Sequence, residues 1–255
     1  MSEAVRADLA RRLGEAWDGA FAIPAPTTLE PTLTTGDAYA IQDTIIAARL
    51  RQGRRRAGWK MGLTSAGSEA TPIVGALLDD MVVASGAVLE MDTMVAPMVE
   101  AEVVVRIGEN IAGPRSVAEL AAGPHMVGAG IEVIDYRTTD STGVVDWIAD
   151  NSTVAYAVVG ELAPLADVDP SALETQLYTG PIHLASGRGD VVMGNPLAAV
   201  AWLTGHLSER GHLLEEGQVV LTGSLTGHHR VMPPDRLDFA ADFGWLGIVT
   251  VGFRP

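Results

Sequence analysis

The segment Pro97-Met98-Val99-Glu100-Ala101-Glu102-Val103-Val104-Val105 sets two carboxylates two residues apart in an otherwise apolar run. In a strand such residues point to one face, so Glu100 and Glu102 project together. The two charges repel and call for a counterion, although the exposed face of an edge strand would also carry them. A second acidic segment, Gly128-Ala129-Gly130-Ile131-Glu132-Val133-Ile134-Asp135, sets Glu132 among β-branched residues. A lone carboxylate buried there is costly unless paired or metal-bound. Three carboxylates without clustered His or Cys form an all-oxygen set, which suits Mg²⁺ or Mn²⁺ better than zinc or copper. Lys60, in Ala57-Gly58-Trp59-Lys60-Met61-Gly62-Leu63-Thr64-Ser65, is a lone cation between an aromatic and apolar residues. Its spacing alone fits a surface lysine. Beside an acidic metal site it gains a role in binding a substrate carboxylate or moving a proton. Asp135 and Arg137 are spaced for a structural ion pair, and His228-His229 could border a pocket or sit in solvent.

The elements that must hold these residues change character along the chain. Val5, Leu9, Leu13 and Trp17 recur at four-residue steps, the stripe of an amphipathic helix over residues 4 to 17. A Pro- and Thr-rich loop from Pro24 to Thr35 follows. Thr35 or Asp37 can then cap a second helix through Tyr39, Ile41, Ile45 and Leu50, which the Arg54-Arg55-Arg56 run closes with charges that complement its dipole. From about residue 81 short β-branched runs separated by Gly and Pro read as strands: Met81 to Val83, Val99 to Ile107, Met126 to Ile134, Val154 to Val159, Val219 to Thr222 and Ile248 to Phe253. One helix interrupts them, Pro196 to Arg210, opened by a proline at its first turn and ended by Gly211. The pattern predicts an α+β protein in which a helical N-terminal region, residues 1–80, carries Lys60 and a sheet-rich core, residues 81–255, carries the carboxylates.

Composition narrows the partners. With 255 residues and 47% hydrophobic content, the chain can bury a substantial core. A formal charge of -15 opposes binding to nucleic acid or anionic lipid. There is no cysteine, hence no disulfide, thiolate nucleophile or Cys-zinc site. The N-terminal residues lack the apolar stretch of a secretory signal, and no apolar run reaches the roughly 18 residues of a membrane span. A cytoplasmic enzyme is expected, with Asn151-Ser152-Thr153 a chance match to a glycosylation sequon.

Taken in order, the motifs resemble the hydratase/decarboxylase branch of the fumarylacetoacetate hydrolase superfamily. The resemblance runs over nearly the whole chain, through Asp37 to Gln42, Gly58 to Ser65, Glu100-Ala101-Glu102, Glu132 to Arg137, Ala149 to Ser152, Gly194-Asn195-Pro196 and Gly217 to Ser224. It implies that family's mixed β-sheet core, Glu100, Glu102 and Glu132 as ligands of Mg²⁺ or Mn²⁺, and Lys60 as the active-site lysine. It further implies that Leu63, Thr64, Ser65, Ile73, Asp150, Ser152, Thr222 and Ser224 meet a small unsaturated 2-oxo acid. No organic cofactor is implied; a homo-oligomer, associated with a pathway hydratase, is.

Both reactions of that branch pass through a dienolate stabilised by the metal. Hydratases then add water to a 2-oxo-4-enoate such as 2-oxopent-4-enoate, whereas decarboxylases remove the distal carboxylate of a 2-oxo-enedioate such as 4-oxalocrotonate. Hydratases typically carry an acidic residue in a Pro-Asp-aromatic-Gly stretch, and this chain has Thr71-Pro72-Ile73-Val74-Gly75 there. That difference favours decarboxylation. Two further departures leave room for another substrate: Gly194-Asn195-Pro196 stands where the family has Gly-His-Pro, and the connection over residues 108 to 124 is short. A non-catalytic partner subunit need not keep three mutually repelling glutamates. Acylpyruvate hydrolysis calls for a Glu-His pair that the N-terminal part does not offer.

Overall fold

The computed structural model describes residues 1–140, 143–232 and 237–255. Helix α1 (Glu3–Gly19) starts where the Ser2 hydroxyl accepts the Val5 N–H, and its apolar stripe buries Leu9 and Leu13. Strand β1 (Ile23–Pro24) and the short α2 (Pro26–Leu29) lead to α3 (Thr35–Arg51). The cap of α3 is Thr34, and neither Thr35 nor Asp37, the two expected, takes that position. The Thr34 hydroxyl accepts the Asp37 N–H while Asp37 accepts the Thr34 N–H, a reciprocal box that satisfies two end groups at once. The last turn of α3 carries Arg49 and Arg51. Arg54 and Arg55 lie beyond the helix and pair with Asp80 and Asp79, so they do not close it. Helices α1 and α3 bury Leu9, Leu13, Ile41 and Ile45 in one cluster with Ile73 and Ile148.

The sheet begins at Arg56, earlier than the change of character near residue 81 announces. Strands β2 (Arg56–Gly62) and β3 (Ile73–Leu78) belong to it, so Lys60 rides on a strand and not on the helical part. Three glycines and a lysine dilute the β pattern here, and Gly58 is there for packing. A Cβ at Gly58 would stand 2.0 Å from the Val219 carbonyl oxygen of the neighbouring strand.

The chain continues through β4 (Val82–Ala84), β5 (Ala87–Glu90), β6 (Pro97–Arg106), α4 (Val117–Ala122), β7 (Met126–Asp135), β8 (Thr138–Thr139), α5 (Val144–Ala149) and β9 (Val154–Pro164). Strands β10 (Glu174–Thr179) and β11 (Ile182–Arg188) precede α6 (Pro196–Glu209), which Asn195 caps by accepting the Leu197 N–H at 2.8 Å. Strands β12 (Val219–Ser224), β13 (His229–Arg230), β14 (Leu237–Asp242) and β15 (Ile248–Arg254) end the chain. Among the described residues one sheet runs β3-β2-β12-β6-β7-β9-β4, with β13 added to β6; a second runs β11-β10-β14-β15-β5; β1 pairs with β8. Strands β14 and β15 pack on β7, and β15 also on β9. Coverage on both faces explains why β6 and β7 read as near-continuous apolar runs with glutamates as the interruption.

Candidate metal centre and its cleft

Register brings the carboxylates together. In the antiparallel β6–β7 pair Glu100 stands opposite Glu132, and Glu102 opposite Gly130. Directly opposed residues of such a pair have Cβ atoms about 5 Å apart, so three side chains on one face converge. Oxygens of Glu100, Glu102 and Glu132 lie within 4.8 Å of one another. Glu102 and Glu132 are fully buried; the Glu100 side chain is 12% exposed and opens to a cleft of about 320 Å³.

On the other side of β6, strand β12 breaks register between Leu221 and Ser224. The irregularity aims the Gly223 N–H at Glu102 Oε2, 2.8 Å away. Gly223 sits at φ 121°, and a Cβ there would meet Thr64 Oγ1 at 1.8 Å, so this close approach requires glycine. Next along the sheet Lys60 pairs with Leu221 on β12 and Gly75 on β3. Its Nζ lies 3.3 Å from Glu132 Oε1 and donates to the Ser152 carbonyl at 3.0 Å.

Burial sets the electrostatics. Desolvation, then repulsion from Glu132 and Glu100, lifts the Glu102 carboxyl well above the ordinary carboxylate range. Desolvation also raises Glu132, to about 7, against the attraction of Lys60. For Lys60 burial favours the neutral amine, but the three glutamates outweigh it and hold the ammonium above its usual value. Glu102 Oε1 and both Glu132 oxygens are buried and accept no hydrogen bond. A converging all-oxygen set, three of its oxygens buried without a hydrogen bond and all crowded with like charge, fits a hard divalent cation such as Mg²⁺ or Mn²⁺.

The cleft wall gathers most of the residues singled out from the sequence. Lys60, Leu63, Thr64, Ser65, Ile73, Ser152 and Ser224 all line it. The hydroxyls of Ser152 and Ser224 are buried without a hydrogen-bond partner. Asp150 and Thr222 lie behind the wall. The Thr222 hydroxyl donates to the Val103 carbonyl at 2.9 Å, tying β12 to β6. Asp150 is the partner of Arg137, Oδ1 to Nε 2.8 Å. The ion pair expected between Asp135 and Arg137 is therefore not formed. Strand β7 ends at Asp135, so residues 135 and 137 no longer share a strand face, and Asp135 instead accepts the Val95 and Ala96 N–H groups at 2.9 and 2.6 Å.

Further wall residues are Ile134, which continues the alternation of Glu132, Tyr136 just beyond the end of β7, and Trp147 from α5, whose place no local spacing announced. His228 lines the cleft too, its Nδ1 3.8 Å from Glu100 Oε1. Lys60 had a stronger signal than its surroundings: of the 17 basic residues it is the sole lysine, every other one being arginine.

Fold and site together define an enzyme of the metal-assisted kind, with an acidic cation site and one buried ammonium on a mixed sheet. No protein-family model matches the chain. It is 33% identical over 213 residues to 2-keto-4-pentenoate hydratase 1 of Dechloromonas aromatica (strain RCB), covering 80% of this chain and 81% of that protein. With 4-oxalocrotonate decarboxylase of Pseudomonas putida it shares 33% identity over 231 residues, covering 88% and 87% of the two chains. The solved structure of 4-oxalocrotonate decarboxylase from Pseudomonas putida G7, complexed with magnesium and adipate, superposes with a TM-score of 0.92 at 29% identity, covering 99% of this chain and 98% of that one. The chain belongs to the family of 2-keto-4-pentenoate hydratases and 4-oxalocrotonate decarboxylases, and its fold is that of fumarylacetoacetate hydrolase.

Proposed function

We propose that the protein is a divalent-metal-dependent lyase acting on small unsaturated 2-oxo acids, and specifically a decarboxylase of the 4-oxalocrotonate type. The carrying observation is the make-up of the cleft: Glu100, Glu102 and Glu132 converge beside Lys60, and among the described lining residues Glu100 is the only carboxylate. Adding water to a carbon–carbon double bond calls for a further acid or base near that carbon. Ile73 stands where the acid was expected, and Ile134 and Trp147 also line the cleft. An apolar wall suits the loss of a carboxylate as neutral carbon dioxide.

Glu100, Glu102 and Glu132 are the residues that would hold Mg²⁺ or Mn²⁺, and the cation, when bound, supplies Lewis-acid polarisation of the 2-oxo group. The Ser152 and Ser224 hydroxyls, unpartnered in residues that line the cleft, offer donors to the substrate's carboxylate and 2-oxo oxygens, with Thr64 and Ser65 among the other lining residues. Leu63 and Ile73 exclude water from the conjugated chain. The bond to the distal carboxylate breaks, its electron pair runs through the conjugated system to the 2-oxo oxygen, and carbon dioxide leaves. That oxygen takes a proton from Lys60 Nζ, which the Ser152 carbonyl and Glu132 hold in place. Asp150 and Thr222 act from behind the wall by fixing the segments that carry Ser152 and Ser224.

The same reading includes a cytoplasmic homo-oligomer that works beside a pathway hydratase. Support for association comes from the exposed apolar side chains of Trp245, Ile248, Ile182 and Met232. Purified protein with Mg²⁺ is expected to release carbon dioxide from 4-oxalocrotonate. Hydration of 2-hydroxypenta-2,4-dienoate without such release would make it a hydratase instead.

A further inference from the structure

Three consecutive residues between α5 and β9 adopt the left-handed conformation, and none is glycine: Asn151 at φ 51°, Ser152 at φ 51° and Thr153 at φ 60°. Asparagine tolerates this region, but a β-branched threonine there is an outlier, so the surroundings must impose the turn. The structure shows what imposes it. Asn151 is fully buried and its carboxamide makes two hydrogen bonds to one residue of β3: Nδ2 donates to the Ala76 carbonyl at 2.9 Å, and Oδ1 accepts the Ala76 N–H at 2.8 Å. Strand β3 ends its sheet, so the side chain of Asn151 occupies the hydrogen-bonding edge a further strand would take.

The neighbouring residue is cut to fit. Gly75 stands opposite Lys60 in the β2–β3 ladder, and a Cβ on it would lie 2.6 Å from the Asn151 carbonyl oxygen and 3.2 Å from Ser152 Cβ. The turn therefore rests on bare backbone beside the lysine. The Ser152 carbonyl at its centre accepts from Lys60 Nζ at 3.0 Å and from the Thr153 hydroxyl at 2.7 Å. At its N-terminal end the Arg137–Asp150 pair anchors the chain.

We infer that Asn151 is a positioning residue: by clamping the turn 151–153 to the edge of β3 over Gly75, it sets the Ser152 carbonyl that aims the Lys60 ammonium at the cleft. The inference rests on the reading of Lys60 as the proton donor. A buried amide making two backbone bonds explains why the turn stays in an unfavourable conformation, and the carbonyl it presents explains what that conformation is for.

The test uses the full chain with Asn151→Gly, which keeps the positive φ and removes both bonds to Ala76, and Gly75→Ala, whose new Cβ presses on the Asn151 carbonyl. With saturating Mg²⁺ and 4-oxalocrotonate, kcat is expected to fall about tenfold to a hundredfold, the range for a reacting group misplaced by about an ångström, with KM within about twofold of the unaltered chain. Because Lys60 is the sole lysine, protein labelled with carbon-13 lysine gives one side-chain resonance, expected to move in either variant without metal or substrate. A lower melting temperature with unchanged kcat and an unmoved resonance would reduce Asn151 to a structural role and overturn the inference. Should Asn151→Gly not fold, Gly75→Ala decides alone. An unaltered chain that turns over neither candidate substrate defeats the functional reading, and the resonance then judges whether the clamp governs Lys60.

Discussion

Glu102 has no exposed surface, one hydrogen bond from the Gly223 N–H, and two further glutamates as neighbours. Its raised carboxyl measures a cost that the metal-free protein carries and that a cation removes. Replacing it by an isosteric amide should therefore act in opposite directions with and without metal. Glu102→Gln is expected to raise the melting temperature of the metal-free protein by about 2–4 °C, the equivalent of about 1 kcal/mol in a chain of this size. It should also abolish the upward shift that Mg²⁺ gives the unaltered chain. Thermal denaturation with and without Mg²⁺ checks both signs, and a variant that keeps the Mg²⁺ shift removes Glu102 from the ligand set. The three glutamates were legible in the sequence because strand alternation alone puts Glu100 and Glu102 on one face, and Glu132 sits in a segment too apolar for an idle charge. Ser152 was singled out only through resemblance, and the structure places it on the cleft wall. Its conformation depends on Asn151 and Gly75, residues far apart in the chain that no local pattern connects.

At the scale of elements, the strands that a β-branched run declares were readable: β6, β7, β9, β12 and β15, together with α1, α3 and α6. Strands β2 and β3 were not, because glycines needed for close approach to β12 and to the 151–153 turn break the pattern. Strands β10, β11 and β14 carry exposed faces with Gln, Ser, Thr and Asp, and their apolar alternation is short. The ion pair expected between Asp135 and Arg137 is replaced by one between Arg137 and Asp150, with the guanidinium lying over the Trp17 ring of α1. That pair has a pH signature. Desolvation raises the Asp150 carboxyl from 3.8 to about 6 despite Arg137, so the folded state binds its proton more tightly than the unfolded state. The resulting stability is present below about pH 4 and lost as pH rises through about 6, and amounts to about 3 kcal/mol at about 1.4 kcal/mol per pKa unit. Urea unfolding from pH 4 to 7 should show Asp150→Asn without this decline, so that the deficit of the variant shrinks as pH rises. A deficit that grows with pH would mean that Arg137 outweighs the desolvation.

For the whole molecule the governing quantity is charge. The chain carries a formal -15, yet the chemistry assigned to it takes a doubly anionic substrate. Within the cleft the conflict is local and nearly cancels: three glutamates, one ammonium and a bound divalent cation leave its floor close to neutral. The remaining excess of acid over base is spread over the surface and acts at long range, where salt decides its reach. The screening length falls from about 30 Å at 10 mM to about 8 Å at 150 mM ionic strength, so remote carboxylates that repel the substrate in dilute buffer cease to be felt. Attraction inside the cleft acts over a few ångströms at low dielectric and is screened much less. With Mg²⁺ held saturating, kcat/KM is thus expected to rise about two- to fivefold between these salt concentrations while kcat stays level, the reverse of an enzyme that steers its substrate with a complementary field. Initial rates across a salt series measure this directly. If kcat/KM falls with salt, a positive approach surface must offset the net charge, as it would where an assembly of copies turns its basic side chains toward the mouths of the clefts.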